Sequence, residues 1–261
     1  MLEGGSIFAD PLALRIAGDD EASILREAAA HPERRRMRLF VAARTRFAED
    51  ALAVAIAGGV RQIVVLGAGL DTYAYRAALA DDVRIFEVDR PATQAWKRHR
   101  LADAAIPIPG ALTFAPVDFE RETLAAGLAA AGFEGTLQTF FTWLGVVPYL
   151  TDDAITRTLE FIAGLAAGAQ VVFDYSDPPE SLSPERRRSH EQRAMQVAAL
   201  GEAWIAYFEA DMLRAKLIDL SFVEIEDLGP AQIAERYFPD VPDAAGDRGG
   251  HVLRAATAGR G

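Results

Sequence analysis

The spacing of apolar residues changes near residue 60. From Glu21 to Ala57 apolar residues recur at helical spacing in a stretch rich in alanine, leucine and arginine. A break is predicted near His31-Pro32, and Gly58-Gly59 predicts the end of the second helix. Short apolar runs then alternate with helical stretches. These runs predict five strands, at Gln62–Gly67, Val83–Asp89, Ala111–Asp118, Thr136–Leu144 and Ala169–Tyr175. Alternating strands and helices indicate βαβ units, so we expect a doubly wound, Rossmann-like α/β sandwich with a parallel sheet.

Helices are predicted between these strands, to about Ala80, over Pro91–Ala104, from about Arg121 to Ala131 and after the Thr151-Asp152-Asp153 cap. The alternation stops after Tyr175. A proline-rich loop, Ser176–Arg188, leads into a long helical region that ends near Asp219. Two last strands are expected at Ser221–Leu228 and Gly249–Thr257, with an irregular stretch between them. We predict one domain over residues 1–261, with N-terminal helices (1–59), a cofactor-binding core (60–175), a helical lid (176–219) and terminal strands (220–261).

The first predicted strand runs into a glycine turn, Gly67-Ala68-Gly69, and acidic residues close the next two strands. Ligands of open α/β sheets bind beyond the carboxyl ends of the strands. Asp89 lies 20 positions after Gly69, where a carboxylate that accepts hydrogen bonds from ribose hydroxyls is expected. Asp118 could accept a hydrogen bond from the exocyclic amine of an adenine that lies against Phe119. The sequence therefore predicts an adenosine-containing ligand.

The residues after the turn favour one adenosine ligand over others. A nicotinamide-binding turn needs a third glycine, but Thr72 stands there, and Asp71 puts a negative charge where a phosphate would lie. The Gly-Lys-Ser/Thr of a nucleoside triphosphate site is absent from the sequence. S-adenosylmethionine (SAM) has no phosphate and carries an ammonium group that suits Asp71. A non-catalytic SAM-binding protein and an NAD-dependent oxidoreductase stay open as alternatives.

Composition narrows the classes of partner. The 261 residues carry a formal net charge of -11, which disfavours nucleic acid as the main partner. No apolar run reaches the ~18 residues of a membrane span, so no membrane partner is expected. Cysteine is absent from the sequence, and the N-terminus lacks the features of a signal peptide, which together fit a cytoplasmic enzyme.

Histidines and aromatic residues bear on the methyl acceptor. The four histidines are His31, His99, His190 and His251. None ends a predicted parallel strand or has metal-ligand spacing, so we expect them to be exposed and predict no metal site. Because no histidine is placed to act as a general base, the sequence favours a carboxylate, or an acidic phenol or enol, as the acceptor. Candidate residues of an apolar acceptor pocket are Trp143, Tyr149, Tyr175 and Trp204, and Tyr149 is the candidate polar catalytic group.

The chain resembles the leucine carboxyl methyltransferase-like family of class I SAM-dependent methyltransferases, in its bacterial branch of O-methyltransferases. The matching stretches are "IFADPLALRIAG", "AARTRFAED", "VVLGAGLDTYAYR", "FEVDRPATQAWK", "VDFE", "TWLGVVPYLT", "GEAW" and "RYFPD". The resemblance implies a seven-stranded sheet whose last strand is antiparallel. It also implies a small-molecule methyl acceptor, for which a polyketide-like metabolite is one candidate. Relatives usually carry a further stretch before "IFADP", so either a shortened cover of the site or a misassigned start codon is expected.

The same resemblance implies roles for individual residues. Arg44 would bind the methionine carboxylate of SAM, and Gly67 would contact its amino-acid part. Asp89 would bind the ribose, and Asp118 with Phe119 the adenine. Leu144 stands where the eukaryotic carboxyl methyltransferases have a glutamate, which argues against methylation of a protein C-terminal leucine.

Overall fold

The computed structural model describes residues 5–118, 122–199, 201–241 and 248–259. The strands in these residues are β1 (Gln62–Leu66), β2 (Arg84–Asp89), β3 (Leu112–Pro116), β4 (Thr139–Trp143), β5 (Ala169–Ser176), β6 (Phe222–Leu228) and β7 (Gly250–Thr257). They form a seven-stranded sheet in the order β3-β2-β1-β4-β5-β7-β6. β7 is antiparallel to both of its neighbours. The predicted Rossmann-like α/β fold, with its last strand antiparallel, is therefore confirmed.

Helices precede, separate and follow the strands. They are α1 (Ala13–Ala17), α2 (Glu21–Ala30), α3 (Arg35–Ala57), α4 (Tyr73–Arg76), α5 (Pro91–Asp103), α6 (Leu124–Ala130), α7 (Asp152–Ala163), α8 (Pro184–Ala199), α9 (Ala210–Asp219) and α10 (Pro230–Tyr237). The predicted cap of α7 is present, because the Thr151 side chain accepts a hydrogen bond from the amide of Ala154. No helix in the described part of the chain has both the length and the apolar composition needed to cross a bilayer.

The chain divides into two compact units, residues 1–140 and 141–261. In the N-terminal unit, β1 and β3 both run parallel to β2, with Leu66 opposite Val88 and Asp89 opposite Pro116. Every residue of β1 is buried, as its unbroken apolar run predicts. This register brings the carboxyl ends of β1, β2 and β3 to one edge. That the whole chain is a single domain stays a prediction.

In the C-terminal unit, β7 pairs with β5 on one side and β6 on the other. Tyr175 of β5 lies opposite His251, and Leu228 of β6 lies opposite Val252. Because β7 runs against both neighbours, its first residues lie beside the carboxyl ends of β5 and β6. The amino end of β7 therefore belongs to the edge at which ligands of such sheets bind.

Three predictions about the helices are wrong. α4 ends at Arg76 rather than near Ala80, because Ala77 adopts an extended conformation. The region predicted to be helical up to Asp219 is interrupted between α8 and α9, and Gly201 there has a φ of 86°. The stretch predicted as irregular contains α10, which begins at Pro230 and is only two turns long.

Candidate functional site

The glycine turn follows β1 directly. Gly67 and Gly69 have φ angles of 63° and 43°, a left-handed conformation that glycine adopts at little cost. A Cβ atom added to Gly69 would lie 3.9 Å from the carbonyl oxygen of Gly67. Backbone conformation, rather than a lack of space, therefore favours glycine at this position.

Three amides of the turn donate hydrogen bonds to the end of β2. Those of Gly67 and Ala68 donate to the carbonyl of Val88, at 2.8 and 3.1 Å, and that of Gly69 donates to Asp89 Oδ2 at 2.7 Å. The amide of Val117 donates to the carbonyl of Asp89 at 2.9 Å, which joins the end of β3 to the same place. The structure thus brings together Gly67, Gly69 and Asp89, with Asp118 next to Val117.

Asp71 and Asp118 stand at this edge in different surroundings. Asp71 Oδ1 accepts the amide of Tyr73 at 2.8 Å, just before α4. Asp118 is half-buried, and its amide donates to Glu122 Oε2 at 3.0 Å. Phe119 lies outside the described residues. Arg44 lies within α3, half-buried, with its guanidinium carbon 5.8 Å from the centre of the Phe40 ring. The ligand contacts assigned to these residues stay predictions.

A polar network that the sequence did not reveal surrounds Thr72. The Thr72 hydroxyl donates to Asp10 Oδ2 at 2.6 Å and accepts a hydrogen bond from Arg76 Nε at 3.0 Å. Arg76 also pairs with Glu49 of α3 through both of its terminal nitrogens. Thr72 therefore ties the end of the glycine turn to the N-terminal segment, which explains a threonine where dinucleotide-binding turns have a third glycine. Thr72 and Arg76 have helical spacing, but no local pattern connects them with Asp10 or Glu49.

A buried ion pair joins α5 to β2. Lys97 Nζ of α5 is 2.7 Å from Glu87 Oε2, and both side chains are almost fully buried. The Tyr75 hydroxyl donates to the same oxygen at 3.3 Å. Burial raises the pKa of Glu87 to about 7, although the charge of Lys97 opposes the shift. Glu87 precedes Asp89 by two residues on β2, so the side chains of Glu87 and Asp89 lie on the same face of that strand.

In the C-terminal unit, the loop after β4 is fixed by an aspartate. Gly145 has a φ of 72°, and its amide donates to Asp174 Oδ1 of β5 at 2.5 Å. Leu144, just before it, is half-buried. Trp143 and Tyr175 are both fully buried, which favours core packing, and their contact with an acceptor stays a prediction.

Tyr149 and Trp204 lie on segments that contact each other. Tyr149 ends a short 3-10 turn, Val147–Tyr149, after β4. The return segment, residues 201–209 between α8 and α9, donates two amides to Pro148 O of this turn, from Ile205 and Ala206 at 2.7 and 3.1 Å. Both Tyr149 and Trp204 are half-buried. Their positions near the carboxyl end of β4 are compatible with the predicted acceptor pocket.

The expected exposure of the histidines is wrong for His251, which is buried, and His31 and His190 are half-buried. His251 Nδ1 lies 3.1 Å from Asp227 Oδ1, and Nε2 lies 3.2 Å from Asp177 Oδ2. The Tyr175 hydroxyl donates to Asp227 Oδ2 at 2.6 Å. Burial alone would lower the pKa of His251, but hydrogen bonds and charges of Asp227 and Asp177 raise it. Candidate residues at the ends of parallel strands do not include a histidine at the start of an antiparallel strand, so His251 was not predicted.

The described residues include no group of three or more histidine, aspartate or glutamate side chains arranged to hold a metal ion.

Comparisons with known proteins bear on the fold and the family. The sheet order and the antiparallel last strand define a Rossmann-like fold. A solved structure described as a "putative O-methyltransferase" from Nostoc punctiforme shares this fold, with a TM-score of 0.51, 8% identity, and coverage of 79% of this chain and 55% of that one. Residues 3–163 match the family model described as leucine carboxyl methyltransferase. Because this match covers more than half of the chain, the protein belongs to that family.

Two relatives carry the name of a SAM-dependent methyltransferase. "Putative S-adenosyl-L-methionine-dependent methyltransferase YktD" of Bacillus subtilis is 34% identical over 205 residues, which cover 77% of this chain and 66% of the relative. A "Putative S-adenosyl-L-methionine-dependent methyltransferase" of Mycolicibacterium vanbaalenii is 32% identical over 213 residues, which cover 80% of this chain and 61% of the relative. The chain thus spans less than two thirds of the length of either relative. SAM is the cofactor of the class to which the family belongs.

Proposed function

We propose that the protein transfers a methyl group from SAM to an oxygen atom of a small molecule, which is a carboxylate, a phenol or an enol. Family membership and the names of the relatives support SAM as the donor. A polyketide-like metabolite is one candidate acceptor. Leu144, in place of the glutamate of the eukaryotic carboxyl methyltransferases, argues against a protein C-terminus as the acceptor.

The hydrogen bonds of the glycine turn favour SAM over a dinucleotide as the ligand. A turn that binds a pyrophosphate directs its amides at the phosphate oxygens. Here the amides of Gly67, Ala68 and Gly69 all donate to β2, and the carboxylate of Asp71 adds a negative charge beside them. Such a turn suits a ligand without phosphate and with a cationic amino group.

The donor set of the N-terminal unit fits the remaining parts of SAM. Asp89 and Asp118 offer carboxylate oxygens at adjacent strand ends, which suits ribose hydroxyls and an adenine amine. Asp71 is assigned to the ammonium group, Arg44 to the carboxylate, Gly67 and Gly69 to close backbone approach, and Phe119 and Leu144 to the faces of the ligand. These assignments are proposals for the bound state.

Alignment is one contribution of the chain to the reaction. When bound, SAM supplies an electrophilic methyl group on a sulfonium, and the residues around it must hold the acceptor oxygen in line and exclude water. A carboxylate attacks without a base at pH 7, whereas a hydroxyl must lose its proton. We assign contact with the acceptor to Trp143, Tyr149, Tyr175 and Trp204, with Tyr149 as the candidate polar group.

Calorimetric titration with SAM, S-adenosylhomocysteine and NAD tests the proposal. Wild type and Asp103→Ala, which removes an exposed aspartate from the end of α5, should bind the first two ligands and not NAD. Asp89→Ala should weaken SAM binding by about 10-fold or more, since a hydrogen bond to a charged group contributes about 1.5–3 kcal/mol. Thermal melting shows whether each variant is folded.

The outcomes separate the alternatives. Tight NAD binding without SAM binding by folded wild type would support an oxidoreductase. SAM binding without turnover of any acceptor in a broad screen would support a non-catalytic SAM-binding protein. SAM binding with methylation of a carboxylate, phenol or enol establishes the proposed activity.

A further inference from the structure

A histidine of the predicted lid lies in an aromatic cluster. His190 of α8 has its Nε2 atom 2.9 Å from the hydroxyl of Tyr207. Its ring centre is 5.2 Å from that of Trp204 and 5.5 Å from that of Tyr207. Trp204 and Tyr207 both belong to the return segment, so the imidazole is held between that segment and α8. Among the described residues, no hydrogen bond reaches His190 Nδ1.

Hydrogen bonds of the return segment connect this cluster with the strand ends of the C-terminal unit. Besides its two hydrogen bonds to Pro148 O, which follows β4, it donates the amide of Phe208 to the carbonyl of Ser176 at 3.1 Å. Ser176 is the last residue of β5. His190 is thus attached, through two neighbouring aromatic residues, to the loop after β4 and the end of β5, which is where open α/β sheets bind substrates.

The surroundings keep this imidazole in its neutral form. Burial lowers the pKa of His190, and the charge of Arg193 acts in the same direction, against the opposing charges of Glu191 and Glu180. The ring is therefore mainly neutral at pH 7. Burial likewise raises the pKa of Tyr207, so its hydroxyl stays protonated. If Nε2 of His190 donates to the Tyr207 oxygen, Nδ1 keeps a lone pair.

We propose that His190 is the base that removes the proton from a hydroxyl acceptor, which makes a phenol or enol, rather than a carboxylate, the substrate of this protein. The inference rests on the proposed methyltransferase function. As the acceptor oxygen bonds to the methyl carbon, the carbon–sulfur bond breaks and its electron pair stays on sulfur. The hydroxyl proton moves to His190 Nδ1 and is later released to water. Tyr207 is a positioning residue that orients the imidazole.

The test compares His190→Gln with the matched control His99→Gln, which changes an exposed histidine of α5. Methylation of phenol and of benzoate is measured from pH 5 to 9, and SAM affinity is measured by calorimetry. His190→Gln should lower kcat for phenol by roughly 10²–10⁴-fold, the usual contribution of a general base, with SAM affinity unchanged. Its kcat for 4-nitrophenol, which ionises without help, should fall much less. The control should match wild type.

Binding provides a readout that does not need turnover. His190 protonated beside a phenolate forms an ion pair, so wild type should increase the phenolate absorbance of bound 4-nitrophenol at pH 6, and His190→Gln should not. The proposal is overturned if wild type methylates only benzoate, if both acceptors slow equally in His190→Gln, or if wild type leaves the 4-nitrophenol spectrum unchanged. Failure of folded wild type to bind SAM would instead overturn the proposed function itself.

Discussion

Lys97 and Glu87 form an ion pair of 2.7 Å whose side chains are 2% and 1% exposed. Burial of two charges costs more than a single salt bridge returns, unless further hydrogen bonds compensate. Glu87 Oε2 receives such a bond from Tyr75, but Oε1 is buried without a hydrogen-bond partner among the described residues. The ionised form of Glu87 is therefore poorly stabilised.

This pair predicts a pH dependence of stability. Burial raises the pKa of Glu87 from 4.5 to about 7, so the folded chain holds this proton more tightly than the unfolded chain. The stabilisation it provides is complete below about pH 4.5 and is lost as the pH rises to about 7. Over that range wild type should lose stability relative to Glu87→Gln in urea unfolding. Glu134→Gln, at an exposed position, is the control. A relative gain of wild type with rising pH would show that the attraction of Lys97 dominates.

The network at Thr72 predicts unequal effects for two arginines. Arg76 and its partner Glu49 are 14% and 23% exposed, so Arg76→Ala leaves a largely buried carboxylate without this partner. We expect a loss of about 2–4 kcal/mol in the free energy of unfolding. Arg46 pairs with Asp50 at the surface, and Arg46→Ala should cost about 1 kcal/mol or less. Chemical denaturation of both variants measures the difference, and equal losses would contradict a structural role for the network.

The glycine turn can be tested by adding a methyl group where there is room for one. Gly69→Ala and Gly59→Ala both force a side chain into a positive φ, and neither Cβ would meet an atom closer than 3.9 Å. Each variant should lose about 1–2 kcal/mol of stability. SAM affinity, measured by calorimetry, should fall only in Gly69→Ala, because Gly59 lies at the end of α3. An equal fall in both would attribute the effect to stability alone.

The fold of the N-terminal unit could be predicted from the sequence because the patterns that indicate it are local in the chain. A buried apolar run leads into Gly67-Ala68-Gly69, and the acid that closes the next strand lies within one βαβ unit, so the meeting of Gly69 and Asp89 could be predicted. The network at Thr72 could not, since Asp10 lies 62 positions away in the chain. Hydrophobic period reveals a strand but not its direction, so only the resemblance implied an antiparallel last strand, and the buried position of His251 at its start was not predicted.

Short or interrupted helices could not be predicted from hydrophobic periodicity. α10 has eight residues, too few for a clear helical period, and its stretch was predicted as irregular. The return segment contains Trp204 and Ala206 in a helix-compatible composition, yet its amides bond to Pro148 and Ser176 instead of continuing a helix. Tertiary hydrogen bonds decide such segments, and a single sequence does not show them.

His251 predicts a second pH dependence, at the edge of the C-terminal unit. Asp227 and Asp177 raise its pKa above 6.5 in the folded chain, so the stabilisation is complete below pH 6.5 and is lost as the pH rises through the higher native value. His251→Gln should therefore be less stable than wild type at pH 6, by about 1–3 kcal/mol, because hydrogen bonds from a charged ring are lost. The difference should shrink at pH 9, where the ring is closer to neutral. Urea unfolding at both pH values measures it, with His99→Gln as the control. A difference that grows with pH would show that burial, which lowers the pKa, outweighs the two carboxylates.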